Sequence, residues 1–154
     1  GIAPISRYRR AGINVGIGTD GAASNNVLDV LEEVRLAALL ARAQSNNAAI
    51  ITPADALRMG TLDSARALGL ADSIGTLEGG KHADLACFDL SSLNSQPVYD
   101  VLSTLIFASN ASQVSDVWIA GKHQLEEGKL KSINTDDLGE RSREWRDRIA
   151  ASAN

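Results

Sequence analysis

The sequence predicts an α/β fold, and three observations carry that prediction. A short apolar run, Ile13 to Thr19, ends in a polar turn and opens onto a long helical pattern. Between Val27 and Gln44 the apolar residues recur with helical period. Beyond Leu85, short apolar runs alternate with glycine turns, as an antiparallel meander does.

In chain order, Ile5, Tyr8 and Ala11 stand at helical spacing between Pro4 and Gly12 and predict a short helix. Arg7, Arg9 and Arg10 fall between them, as on a solvated face. Ile13 to Thr19 is largely apolar and β-branched and follows a glycine, the pattern of a core strand. Asp20 stands at its carboxyl end. Gly21 is expected to release the backbone, and Asn25 or Asn26 to cap the next helix. A carboxylate at the carboxyl end of a parallel strand is where α/β barrels place their chemistry. From there it can reach a metal or activate a water. An Asp in this place also serves as a turn former or a cap, so position alone leaves both roles open.

The helix from about Val27 to Gln44 follows the i, i+3, i+4, i+7 pattern through Val27, Val30, Leu31, Val34, Ala37, Ala38 and Ala41. Asp29, Glu32 and Glu33 enrich its first turns and Arg42 its last, which suits the helix dipole. Leu36, Leu39 and Leu40 widen the apolar face, so cover on more than one side is expected. Glu32 and Glu33 are adjacent and share no face, which makes them structural rather than an acid pair. Ser45-Asn46-Asn47 is a loop. Thr52-Pro53-Ala54-Asp55 is a capping signature for a helix from Pro53 to Gly60. Thr61 is expected to cap a helix from Leu62 to Leu68, ended by Gly69. Leu57, Met59, Leu62, Ala65 and Leu68 are core candidates.

Gly75-Thr76-Leu77-Glu78-Gly79-Gly80-Lys81-His82-Ala83-Asp84-Leu85 is a glycine-rich turn leading into a strand, Ala86 to Asp89. Its spacing fits neither a P-loop nor a dinucleotide fingerprint, and no helix follows the glycines. Val101 to Ala108 predicts a buried helix. Val114 to Ile119 alternates, with Val117 and Ile119 on one face and Asp116 and Trp118 on the other. Ala120-Gly121-Lys122 and Glu127-Gly128-Lys129 are turns of the meander. Thr135 to Asn154 reads as an exposed helix with a narrow seam of Leu138, Trp145 and Ile149 and a Glu144–Arg148 pair.

The 154 residues suffice for one ordinary domain with its own core. A net charge of −4 disfavours phosphate backbones and anionic membranes, so neither nucleic acid nor membrane is an expected partner. No segment approaches the length of a membrane span. The single cysteine, Cys87, excludes an intrachain disulfide framework and fits a reducing cytoplasm. It is expected to be a buried structural thiol. A start at Gly1 without Met is compatible with a fragment.

Gly18-Thr19-Asp20-Gly21-Ala22-Ala23-Ser24-Asn25-Asn26 resembles the last barrel strand of the amidohydrolase superfamily. More narrowly, it is similar to the branch containing methylthioadenosine/S-adenosylhomocysteine deaminases and triazine chlorohydrolases. The Gly75–Leu85 stretch resembles the pattern at which amidohydrolases re-enter a small β-domain. The resemblance implies the C-terminal fragment of a metal-dependent (β/α)8 barrel hydrolase. Residues 1–72 would be the last βα module with its following helices, 73–133 part of a small β-sandwich domain, and 134–154 a C-terminal helix.

In that family the Asp at this position binds the catalytic metal and helps activate the water. The resemblance therefore makes Asp20 both metal ligand and catalytic residue. It implies one divalent metal, zinc or iron, in the complete enzyme and none in the isolated chain. The implied reaction is hydrolytic deamination of an amino-substituted heteroaromatic ring, with methylthioadenosine and S-adenosylhomocysteine as leading substrates. Dechlorination or deamination of triazines is the alternative. Ser24 and Asn25 lie near enough to line the pocket mouth, and helix capping explains them equally well.

The chain alone lacks the rest of such a site. Its two histidines, His82 and His123, fall in the glycine-turn region, and no His-x-His is present. One carboxylate cannot hold a catalytic zinc, which takes three protein ligands and a water. A third expectation follows: a catalytically silent module that self-associates or binds a partner chain. The expected partners are thus a small-molecule substrate in the complete enzyme and a second copy of the chain.

Overall fold

The structure is a computed structural model that describes residues 1–152. Its first half is helical: α1 (Ile5–Arg10), α2 (Val30–Ser45), α3 (Pro53–Gly60) and α4 (Leu62–Ala67). A strand, β1 (Leu85–Phe88), precedes α5 (Val101–Phe107). Then come β2 (Val114–Ile119), β3 (Lys122–Glu126), β4 (Lys129–Leu130) and α6 (Thr135–Ser152). Asn154 and its neighbour, expected to extend the last helix, lie outside the described residues.

Local chemistry sets most of the helix boundaries. The Asp29 side chain accepts from the amides of Leu31 and Glu32 at 2.9 and 3.2 Å and starts α2. The cap is therefore Asp29, not Asn25 or Asn26 as the sequence predicts. Asn46, in the left-handed conformation at φ 49°, ends the helix. Thr52 and Asp55 form a reciprocal capping box at α3, with Pro53 at its first position. Thr61 does not cap α4; its hydroxyl donates to the Leu57 carbonyl at 2.8 Å instead. Asp100 caps α5.

The core is a helical one. Ile5, Val34, Ala37, Ala38, Ala41, Ile51, Ala56, Met59 and Ile106 form one buried cluster drawn from α1, α2, α3, α5 and the loop before α3. The small residues of α2 let it lie close on α3: a Cβ on Gly60 would sit 2.5 Å from a Val34 methyl. Arginines from α2 close the polar groups around this core. The Arg35 guanidinium donates to the carbonyls of Ile106 and Ser109 at the end of α5. Arg42 donates to the Ile51 carbonyl and lies 4.5 Å over the Phe107 ring. Leu68, a core candidate by pattern, is exposed, as are Leu36 and Leu39 on the outer face of α2. The expected second cover on that face is not supplied by the described residues.

Asp55 also ties α3 to α1, through a 2.6 Å contact with Arg9. Burial pushes its carboxyl up, but hydrogen bonds from Thr52 and the Arg9 guanidinium outweigh this and hold it below the ordinary carboxylate value. A group depressed in the folded state stabilises above its unfolded value, about 3.9, and loses that contribution as the pH falls through its folded value. Asp55→Asn is accordingly expected to cost about 1 kcal/mol at neutral pH. Urea unfolding should show the gap to the parent constant above about pH 5 and closing below about pH 4. A gap that stays constant to pH 3 would contradict this account.

The strands form one antiparallel sheet in the order β1-β2-β3-β4. Its two hairpin loops are Ala120-Gly121 (φ 48° and 76°) and Glu127-Gly128 (φ 48° and 75°). Both residues of each loop have positive φ, the conformation of two-residue hairpins whose twist matches the strands. The alternation expected in β2 is interrupted by a register shift between Val117 and Trp118. The sheet is single-layered among the described residues, so the expected sandwich is represented by one sheet. Cys87 is exposed, not buried, because no layer covers that face of β1.

The helix α6 is exposed along its length, including Leu138, Trp145 and Ile149. Arg148 lies 5.3 Å over the Trp145 ring. The expected Glu144–Arg148 pair does not form; the acid paired on this helix is Asp147, with Arg146 at 2.7 Å.

Candidate metal centre

The segment Ile13–Thr19 is not a strand among the described residues, contrary to its sequence pattern. A strand exists only by pairing, and the described sheet contains no neighbour for this segment. It is held by helices instead. The Ile17 amide is met by the Met59 carbonyl at 3.3 Å and the Ser64 hydroxyl oxygen at 3.0 Å. Val15 and Ile17 pack against the core cluster. Gly16 permits this approach, since a Cβ there would lie 2.9 Å from the Ser64 backbone.

This anchored segment delivers Asp20 to the surface. Asp20, rather than Gly21, takes the left-handed conformation, with φ 60°. Asp tolerates that region because its short carboxylate bonds locally. One carboxylate oxygen accepts from the Gly21 amide at 2.7 Å, and the other from the Ser24 hydroxyl at 2.8 Å. The Ser24 and Asn25 amides both donate to the Gly21 carbonyl at 3.0 Å and close the turn. The Ser24 hydroxyl first, and the Gly21 amide second, hold the Asp20 carboxyl below its ordinary value. The carboxylate is thus ionised at neutral pH and faces solvent, the state a metal ligand requires.

Ser24 and Asn25 do not cap a helix, so one of the two sequence readings of these residues falls away. The Asn25 side-chain amide donates to the Thr19 carbonyl at 3.0 Å and to the Glu33 carboxylate at 2.7 Å. Its oxygen accepts from the Val27 amide at 3.1 Å. The sequence reading of Glu33 as structural did not foresee this contact. The only signal available in the sequence was an acid on the first turn of a helix that follows a polar loop.

Among the described residues, no group of three or more His, Cys, Asp or Glu is arranged to hold a metal. His123 belongs to the sheet, stacked on Trp118 at 4.3 Å and 3.0 Å from Asp116. The His82 amide bonds to the Ser73 carbonyl in the loop before β1. Neither histidine joins Asp20. Asp20 is thus one anchored carboxylate, chemically suited to a divalent metal, with no second candidate ligand grouped beside it among the described residues.

The amidohydrolase family pattern matches residues 1–123. A 5-methylthioadenosine/S-adenosylhomocysteine deaminase of Moorella thermoacetica is 43% identical over 138 residues, covering 90% of this chain and 32% of that protein. An S-triazine hydrolase of Gordonia rubripertincta is 37% identical over 150 residues, covering 92% of this chain and 31% of that protein. The crystal structure of an adenosine deaminase from Xanthomonas campestris with bound zinc superposes with a TM-score of 0.95 at 50% identity, covering 98% of this chain and 34% of that one. The chain spans about a third of the length of the relatives it matches. With four-fifths of its residues inside the match, this chain belongs to the amidohydrolase family.

Proposed function

We propose that these residues are the C-terminal part of a metal-dependent hydrolase that deaminates an amino-substituted heteroaromatic ring. Methylthioadenosine and S-adenosylhomocysteine are the leading substrates. The observation that carries this reading is Asp20, an ionised carboxylate anchored on both oxygens at the end of a core-packed segment. Identity to deaminases of that name supports the substrate class.

In this reading residues 1–72 complete a (β/α)8 barrel, 73–133 contribute to a composite β-domain, and the segment from 134 on carries the terminal helix Thr135–Ser152. Ile13–Thr19 becomes a strand once its neighbours are present. Asp20 is one metal ligand and accepts the proton of the attacking water. The divalent metal, zinc or iron, supplies the Lewis acidity that brings the pKa of that water to about 7 in other zinc hydrolases. Ser24 and the Gly21 amide keep Asp20 ionised and aimed before the proton arrives. Water replaces the amino group on the ring, and ammonia leaves. The similarity to an S-triazine hydrolase favours a second reading, in which the same site acts on a triazine ring.

The isolated chain is proposed to be inactive and to self-associate. Val27, Leu28, Val30, Leu36 and Leu39, on and before α2, are each exposed, apolar surface that barrel neighbours would cover in this reading. Light scattering should give a multiple of 16.2 kDa at micromolar concentration, and a clean monomer would contradict this. For the complete polypeptide the test is metal analysis with ammonia release from the two adenosine thioethers. One zinc or iron per chain with ammonia release supports the first reading. Turnover of triazines alone supports the second, and a metal-free, inactive protein overturns both.

A further inference from the structure

We propose that Glu33 is a positioning residue, which fixes the turn carrying Asp20 by anchoring Asn25 to helix α2. This inference rests on the reading of Asp20 as a metal ligand.

Asn25 is the one half-buried side chain in an otherwise exposed turn from Asp20 to Leu28. Every polar atom of that side chain is used. The amide nitrogen bridges the Thr19 carbonyl and the Glu33 carboxylate, and the amide oxygen takes the Val27 amide. Thr19 directly precedes Asp20, and Val27 lies at the far end of the loop. Asn25 therefore joins the two ends of the turn, and Glu33 joins that junction to the body of the protein. Its 2.7 Å contact has the short length of a charge-assisted hydrogen bond.

Glu33 stands on a rigid base. Its neighbour Val34 is 3% exposed and belongs to the buried cluster. None of the ion pairs among the described residues uses Glu33. Its half-buried carboxylate is instead committed to a neutral amide, which a surface helix does not need. A negative charge near a helix N-terminus does favour the dipole, but exposed Glu32 supplies the same benefit without touching the turn. What Glu33 adds is position. Loss of the groups around a metal ligand commonly costs about 10–100-fold in metal affinity or activity, and Glu33 acts on the turn through Asn25 and the Thr19 carbonyl.

The experiment compares Glu33→Ala, Glu33→Gln, Glu32→Ala and Asp20→Ala in the complete polypeptide. Zinc affinity is read by chelator competition, and kcat and KM at saturating zinc. Glu33→Ala should bind zinc about 10–100-fold more weakly and lower kcat with little change in KM. Glu33→Gln keeps an acceptor for Asn25 and should recover most of the loss, while Glu32→Ala should match the parent. Glu33→Ala at parental zinc affinity and kcat would overturn the proposal, as would a Glu33→Gln variant no better than Glu33→Ala.

Hydrogen exchange on the metal-free complete polypeptide provides a readout independent of catalysis. In Glu33→Ala, the Ser24, Asn25 and Val27 amides should exchange faster while those of Val34 to Ala41 keep their protection. Equal loosening of the whole helix would show a merely structural role and overturn the proposal. Asp20→Ala separates the two ideas. If it keeps zinc and turnover, the ligand assignment fails; if it loses both while Glu33→Ala does not, only the positioning role fails.

Discussion

Asp20→Ala in the complete polypeptide is expected to lower kcat/KM by at least about 10²–10⁴-fold, the range for loss of a positioned general base. Bound zinc should fall with it. The effect on folding should be small, because Asp20 is exposed and its bonds are local to the turn. Some loss of stability accompanies the alanine variant, since alanine has no side-chain oxygen to offset the left-handed φ of 60° as the Asp20 carboxylate does. Asp20→Asn is the cleaner companion: it tolerates the left-handed region and keeps an oxygen for the Gly21 amide. It lacks the negative charge that both metal binding and proton acceptance require. The two variants should therefore be similarly inactive but differ in stability, with asparagine closer to the parent. Parental turnover in Asp20→Asn would remove the carboxylate from the mechanism.

Met59→Ala is expected to cost about 2–5 kcal/mol of stability. Met59 is fully buried, at 0% exposure, in the cluster shared by α2, α3 and α5. Truncation removes its transfer free energy and leaves a cavity that the close-packed alanines of α2 cannot fill. Against a typical total of about 5–15 kcal/mol, that is a large fraction. The Met59 carbonyl also receives the Ile17 amide and the Ser64 hydroxyl, so loosening α3 loosens the segment that delivers Asp20. Urea unfolding of parent and variant at one protein concentration measures the loss. A loss below about 1 kcal/mol would contradict the packing described here.

The parts of the fold governed by nearby residues were legible in the sequence. Thr52, Pro53 and Asp55 determine where α3 begins, and the structure places it over the predicted span. The two hairpins form at Ala120-Gly121 and Glu127-Gly128, where small or polar residues accept positive φ. The resemblance of Gly18–Asn26 pointed to Asp20, whose place at the end of an apolar run left a turn former open as well; the structure adds the two hydrogen bonds on its carboxylate. Features that depend on distant chain were not legible. Ile13–Thr19 has the composition of a strand but no partner to pair with. Cys87, Leu36, Leu39 and Leu68 read as buried because a pattern shows which face is apolar, not what covers it. The Asn25–Glu33 bond crosses a cap and a loop, and no periodicity announces a contact of that kind.

The central claim is that Asp20 is a metal ligand, and a zinc-loaded crystal structure of the complete polypeptide tests it most directly. An anomalous difference map at the zinc edge identifies the metal and its position. The account predicts one zinc with an Asp20 carboxylate oxygen about 2.0–2.2 Å away, and histidines from the preceding chain completing the coordination. A zinc bound elsewhere, with the Asp20 carboxylate still closed on Gly21 and Ser24 and beyond bonding distance, would contradict it.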